Sequence, residues 1–199
     1  MNTIAEDSLD LASQAGDIII DELINNDLIK QIPMVGWSLS LVKIGTSISD
    51  KLFLHKLNLF IKNMDSVKND WKSCFADGNE CNKIARHLLF VIDSITEEDK
   101  LKLIARLFCS YVNDAITKDD YFFFMNVVSR AYLPYLMQIS GFDEDKNYDG
   151  ITSEANYRLS FEHLKSEGLF SQDFGLTEFG TPYRLNDKGL RMKKFIEDL

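Results

Sequence analysis

"TSEANYRLSFEHLKSEGLFSQDFGLTEFGTPYRLNDKGLRMKKFIEDL", residues 152–199, carries the most definite fold signal in this chain. Its first part has apolar and small residues at helical spacing, and Gly168 stands where a glycine commonly ends a helix. The residues on the shared face are Tyr157, Ser160, Phe161 and Leu164. The pattern therefore predicts a helix with one buried face, closed at Gly168.

Two strands and a last helix are predicted after that glycine. The strands are "LFSQDF" (169–174) and "TPYRLN" (181–186), joined through the glycine-bearing "GLTEFG". The helix is "NDKGLRMKKFI" (186–196), with Asn186 or Asp187 as its N-cap, because short polar side chains accept hydrogen bonds from a first turn. The segment is thus a small α+β unit.

This order of elements, with "SFEHLKSEGLF" and "YRLNDKG", resembles the winged-helix domains of prokaryotic transcription regulators. In many of those the last motif is Tyr-x-Leu-Thr-x-x-Gly, and Asn186 stands here in place of the threonine. The resemblance covers about the last fifty residues of the chain. It implies that a helix at 153–167 would lie in the DNA major groove and that a hairpin at 171–182 would contact the backbone.

The charge of this segment does not favour DNA. Residues 150–199 contain eight acids and seven bases, and a protein that grips phosphate usually carries a clear basic footprint. A nucleic-acid face, if there is one, is predicted to consist of Arg158, His163, Lys165 and Arg184. Many winged helices are protein-interaction modules, and the balanced charge favours that role.

The second distinctive segment is "IPMVGWSLSLVKIGTSISDKLFLHKLNLFIKNM", residues 32–64, a predicted apolar helix rich in small residues. Small residues four apart allow close helix–helix approach. The favoured interpretation is a core or partner-binding helix, with Gly36, Trp37, Lys43 and Gly45 as the candidate partner-binding residues. The alternative is a membrane-active segment at 32–48, which Lys43 near its centre would make costly.

The rest of the chain predicts a helical body. Thr117 is placed to cap a helix with Asp119 and Asp120 in its first turn, and Pro134 should kink or split that helix. The predicted domains are a helical body at 1–140, an acidic linker at 141–152 and the winged-helix-like unit at 153–199. The fold class is mainly α with a small C-terminal α+β unit.

The linker contains a sequence that begins like a calcium loop. Asp145, Asn147 and Asp149 alternate and Gly150 follows, as in an EF-hand. The twelfth position is Asn156, which lacks the bidentate carboxylate that closes such a loop. The segment is therefore predicted to be a hinge and helix cap, and no metal site is expected.

Composition limits the remaining options. The 199 residues are 45% hydrophobic and carry a net charge of −9, which is typical of a globular domain without a phosphate-gripping surface. Three cysteines form no pairing framework and fit a reducing cytoplasm. The sequence has no phosphate loop, nucleophile elbow or zinc-ligand spacing, so no catalytic residue, cofactor or enzymatic activity is expected.

Three functions remain open from the sequence. The favoured one is a cytoplasmic, non-enzymatic interaction or regulatory protein that acts through a protein partner or a homo-oligomer. The stretch "IPMVGWSLSLVKIGTSISDKLFLHKL" (32–57) resembles uncharacterised helical proteins of bacterial mobile-element and phage-defence loci, which implies that context. The alternatives are a winged-helix DNA-binding regulator and a membrane-active effector that uses residues 32–48.

Overall fold

The computed structural model describes residues 48–64, 78–148, 157–173 and 181–199. Within these ranges the chain is mainly helical, with one two-stranded antiparallel sheet near the C-terminus, which confirms the predicted fold class. The elements are α1 (Ile48–Lys62), α2 (Gly78–Ser94), α3 (Glu98–Val112), α4 (Lys118–Arg130), α5 (Leu133–Met137), a 3-10 turn (Gln138–Gly141), α6 (Arg158–Ser166), β1 (Phe170–Gln172), β2 (Tyr183–Leu185) and α7 (Asp187–Glu197).

Helices α1 and α2 pack through two apolar stripes, which are aliphatic apart from Phe60. Buried residues recur three or four positions apart along both helices, as one face of an α-helix requires. Lys56 of α1 donates to the carbonyl oxygen of Asp93 in the last turn of α2 (2.5 Å), where the helix dipole favours a cation. The buried apolar side chains are Leu54, Leu57, Phe60, Ile61, Ile84, Ala85, Leu88, Val91 and Ile92.

Helix α4 begins and ends where the sequence predicts. The hydroxyl of Thr117 accepts from the amide of Asp120 at 3.1 Å, which confirms the predicted N-cap. Helix α4 ends at Arg130, and α5 starts at Leu133 with Pro134 in its first turn. The proline therefore splits the apolar run into two helices, since it fits a first turn but not a helix interior.

A cluster of six aromatic rings forms the core around α6. Phe161 of α6 contacts Phe170 edge-on with 5.1 Å between ring centroids, and Phe142 contacts Phe170 at 5.2 Å. Such tilted and edge-to-face pairs are favoured by the ring quadrupole. The cluster consists of Phe142, Tyr148, Tyr157, Phe161, Phe170 and Tyr183.

The sheet is short, with three residues in each strand, and one further residue pairs with the other edge of β2. In the antiparallel register of β1 and β2, Ser171 faces Arg184. Tyr148 forms an isolated bridge to Tyr183, with both backbone hydrogen bonds at 2.7 Å. The bridge thereby holds Tyr148, which precedes α6 in the sequence, against β2, which comes after α6.

The turn after α6 is a Schellman motif. Gly168 has φ +78°, a left-handed conformation that glycine adopts without strain, which confirms that it ends the helix. The amide of Gly168 donates to the carbonyl of Lys165, and the amide of Leu169 donates to that of Leu164. This turn directs the chain into β1.

The motif "YRLNDKG" joins that turn to α7. Asn186 is the N-cap: its side-chain oxygen accepts from the amide of Gly189 and its side-chain nitrogen donates to the carbonyl of Gly168, both at 2.9 Å. A Cβ on Gly189 would overlap the carbonyl oxygen of Leu169 and lie 2.8 Å from Leu185 Cδ2. The glycine is therefore required by close packing of α7 on the backbone.

The described residues divide between two compact units, with the boundary between Ala105 and Arg106 inside α3. Helices α4 and α5 belong to the second unit: the ring of Phe124 in α4 contacts that of Phe195 in α7 with 5.7 Å between centroids, and α5 packs on α6. The domains at 1–140, 141–152 and 153–199 stay a prediction from the sequence. In the described part of the predicted linker, Phe142 and Tyr148 are buried in the aromatic cluster. Residues 149–152 lie outside the described residues.

Candidate interaction face

Helix α6 has a buried side and an outward side. Its buried residues are Ser160, Phe161 and Leu164, which agree with the predicted apolar face. Helix α5 packs alongside it in the same unit. The outward side of α6 carries the exposed residues Arg158, Leu159 and Glu162.

His163 ties α6 to α5. Its Nε2 accepts from the backbone amide of Tyr132 at 3.0 Å, although the two residues are 31 positions apart. Tyr132 is the N-cap residue of α5, which has no side-chain cap. The ring of His163 also lies 5.5 Å from that of Tyr135, and Tyr135 contacts Tyr132 edge-on at 5.0 Å. The histidine thus fixes the surface position of two tyrosines.

Two large apolar side chains are exposed beside this contact. Leu159 is 65% exposed and Tyr132 is 56% exposed. Leu159 precedes His163 by four residues, so the two share one face of α6. We define the α5–α6 face as Tyr132, Tyr135, Leu159 and His163. Both exposed side chains are thus related through His163, and exposed apolar groups gathered on one surface are typical of protein-binding sites.

Lys165, a predicted nucleic-acid contact, has partners within its own unit. Its ammonium group pairs with the carboxylate of Glu162 at 2.6 Å. It also lies 5.1 Å from the ring centre of Phe161 and 4.9 Å from that of Tyr183. Binding to phosphate would require this ammonium group to leave the carboxylate and both rings.

Arg158 and Arg184, the other two predicted nucleic-acid contacts, are exposed. Neither makes an ion pair with any residue that the structure describes. Arg158 lies at the start of α6, whereas Arg184 lies on β2 opposite Ser171. The structure does not bring these two arginines together with His163 and Lys165 in a single set of contacts.

Three of the four basic side chains of α7 also have partners within the same unit. Arg191 pairs with Asp120 at 2.7 Å, and Lys193 donates to the carbonyl of Phe142 at 2.9 Å. Lys188 lies 3.9 Å from the ring centre of Phe123. These cations stabilise the unit that contains them and leave a smaller basic surface than their number suggests.

The predicted partner-binding residues Gly36, Trp37, Lys43 and Gly45 lie outside the described residues, as does most of the 32–48 segment. Sequence reasoning did not single out Tyr132 or Leu159. A signal for Leu159 was present, because the buried face of α6 leaves position 159 on its other side. Tyr132 had no such signal, since its exposure depends on where α5 is placed.

Two buried tyrosines have structural roles. Burial raises the pKa of Tyr148, whose hydroxyl oxygen accepts from the amide of Asp143 at 2.7 Å. Burial also raises the pKa of Tyr121, whose hydroxyl has no hydrogen-bond partner among the described residues. Both hydroxyls are therefore neutral at physiological pH and act as packing groups.

No group of three or more metal-binding side chains occurs in residues 48–64, 78–148, 157–173 and 181–199. Of the calcium-like loop, Asp145 and Asn147 are described and exposed, while positions 149–156 fall outside these ranges. The expectation that this loop binds no metal stays a prediction.

None of the described helices combines the length and apolar character needed to cross a bilayer.

Comparison of the chain with protein families, curated proteins and solved structures finds no match.

Proposed function

We propose that this protein is a non-enzymatic interaction protein that binds a protein partner through the α5–α6 face. The observation that carries the proposal is the pair of exposed apolar side chains, Leu159 and Tyr132, beside the His163 contact. A surface that is held rigidly loses little conformational entropy on binding, so exposed apolar area there contributes efficiently to affinity. The resemblance noted in the sequence extends the proposal to a regulatory role in bacterial phage defence or mobile elements.

Charge supports a protein partner over DNA as the occupant of this face. Lys165 is paired with Glu162 and packed over two rings, and Arg130 is paired with Glu167 at 2.9 Å. DNA affinity rests largely on cations that neutralise phosphates. On the outward side of α6, next to this face, Arg158 would supply that charge almost alone, and Glu162 would oppose it.

The proposal is tested by comparing partner capture with duplex binding. Leu159→Asp places a charge at the centre of the face, and Leu52→Asp is the matched control, since Leu52 is also exposed but lies in the other compact unit. We expect the wild type and Leu52→Asp to retain the same partner from the native host. Leu159→Asp should bind that partner at least about tenfold more weakly, because a charge in the interface stays unpaired.

The DNA arm uses fluorescence anisotropy with a random duplex at low and moderate salt. We expect no salt-dependent binding. Tight binding that falls steeply with salt, and that Arg158→Ala combined with Arg184→Ala abolishes, would replace our proposal with the DNA-binding one. The membrane-active alternative depends on residues 32–48 and stays a prediction from the sequence.

A further inference from the structure

The outward side of α6 carries its charges in a particular order. Arg158 stands at its start, exposed and without an ion pair to any described residue. The exposed Leu159 follows, and one turn later comes the exposed Glu162. Along the surface the helix therefore presents a cation, an apolar group and an anion within about one turn.

This order is complementary to itself. Two copies of a helix that pack antiparallel about a two-fold axis place the start of one against the later turn of the other. With the axis level with residue 160, midway between the two charged residues, Arg158 of each copy faces Glu162 of the other. The two leucines then lie one residue from the centre, within reach of each other. The same residues thus supply two opposite-charge pairs and one apolar contact, as an isologous interface requires.

The existing contacts of Glu162 are compatible with this pairing. Its Oε2 pairs with Lys165 of the same chain. A carboxylate has two oxygens and accepts several hydrogen bonds, so Glu162 also accepts from an arginine of a second copy. Lys165 lies on the side of Glu162 that faces the rings of Phe161 and Tyr183, away from the start of the helix.

We propose that the occupant of the α5–α6 face is a second copy of this chain, bound through an antiparallel, two-fold pairing of α6. This inference rests on the proposed function, because it names the partner of the same face. The net charge of −9 on each copy opposes approach at low salt. At physiological ionic strength charges beyond about 8 Å are largely screened, so the short-range pairs decide the outcome.

The experiment is sedimentation equilibrium of the full chain over about two decades of concentration, up to roughly 0.5 mM. We expect a monomer–dimer equilibrium for the wild type. Arg158→Glu sets acid against acid twice in each dimer and should weaken association by about tenfold or more. Glu162→Arg should weaken it similarly, because it sets cation against cation.

The decisive variant combines the two reversals. Arg158→Glu with Glu162→Arg restores both opposite-charge pairs and should return association to within about threefold of the wild type. The matched control is Arg184→Glu, the same change at another exposed arginine, on β2. It should leave the dimer unchanged. Circular dichroism verifies that each variant has the wild-type helix content.

A wild type that stays monomeric at every concentration overturns the inference. So does a dimer that the double reversal fails to restore, or one that Arg184→Glu weakens as much as Arg158→Glu. The proposed function fails separately. If the protein is monomeric but still captures a different protein through Leu159, the face remains an interaction site. Only the inference that a second copy occupies it is then wrong.

Discussion

The α1–α2 pair and the α6–α7 region form their cores in different ways. The helix pair buries mostly aliphatic side chains at regular spacing, together with Phe60, and Lys56 donates to the carbonyl of Asp93 between the two helices. The C-terminal region packs six aromatic rings together, four of them buried, and relies on backbone contacts at Gly168, Asn186 and Gly189. The first arrangement needs only apolar residues of suitable volume, whereas the second needs particular residues at particular positions.

The difference predicts unequal tolerance to substitution. Cores accept volume-conserving aliphatic changes because the packing contacts are many and individually weak. A close contact between a helix and a neighbouring backbone carbonyl has no such freedom, because a backbone atom cannot move far unless its whole helix or turn moves. Substitutions in the two regions therefore test whether the comparison holds.

The largest effect is expected for Gly189→Ala. The new Cβ would overlap the carbonyl oxygen of Leu169, so α7 must move away from the turn after α6, at a cost of roughly 3 kcal/mol or more. Chemical denaturation monitored by near-ultraviolet circular dichroism measures the loss. Lys194→Ala is the control, because Lys194 is exposed on the same helix and should change the free energy of unfolding by less than about 0.5 kcal/mol. Equal stability of Gly189→Ala and wild type would show that this contact is not required.

A paired substitution compares the two cores directly. Phe161→Leu removes a ring that contacts Tyr148, Phe170 and Tyr183, and we expect a loss of about 2 kcal/mol or more. Leu88→Met in α2 conserves volume in the aliphatic stripe and should cost less than about 1.5 kcal/mol. Thermal and chemical denaturation of both variants measure the difference. If Leu88→Met proves the more damaging, the proposed contrast in tolerance is wrong.

The Asn186 cap is expected to have the next largest effect. Asn186→Ala removes both the acceptor for the amide of Gly189 and the donor to the carbonyl of Gly168, and should cost about 1–2 kcal/mol. Asn186→Asp retains the acceptor alone, so its loss should be intermediate. Asn147→Ala serves as the control, since Asn147 is exposed and makes neither contact. An Asp variant as unstable as the Ala variant would assign the stabilisation to the bond with Gly168.

The smallest effect is a gain in stability at the end of α3. Asp114 has φ +59°, and the bonds from Asp114 to Tyr111 and from Ala115 to Ser110 form the same Schellman pattern that Gly168 closes after α6. Asp114→Gly removes the strain of a side chain in this conformation and should raise the free energy of unfolding by up to about 1 kcal/mol. Ala115→Gly is the control and should destabilise slightly. A loss at Asp114→Gly would mean that contacts of the aspartate side chain outweigh the strain.

Much of the local structure was predictable from particular residues. Thr117, Pro134, Gly168 and Asn186 each mark a helix end in the sequence and in the structure, because caps and breaks depend on the conformation of a few adjacent residues. The buried face of α6 followed from its spacing. The packing of α4 and α5 with α6 and α7 did not follow from the sequence, since it depends on contacts across long sequence separations.

The α5–α6 face shows the same limit of prediction from local sequence. By itself the sequence determined a mainly helical chain with a small C-terminal sheet, the ends of several helices and a segment of balanced charge. Only the tertiary structure decided which polar groups of α6 have internal partners: His163 meets an amide 31 residues away, and Lys165 meets the ring of Tyr183. Local periodicity fixes the direction of a side chain on its own helix. What that side chain meets depends on elements placed by the whole fold.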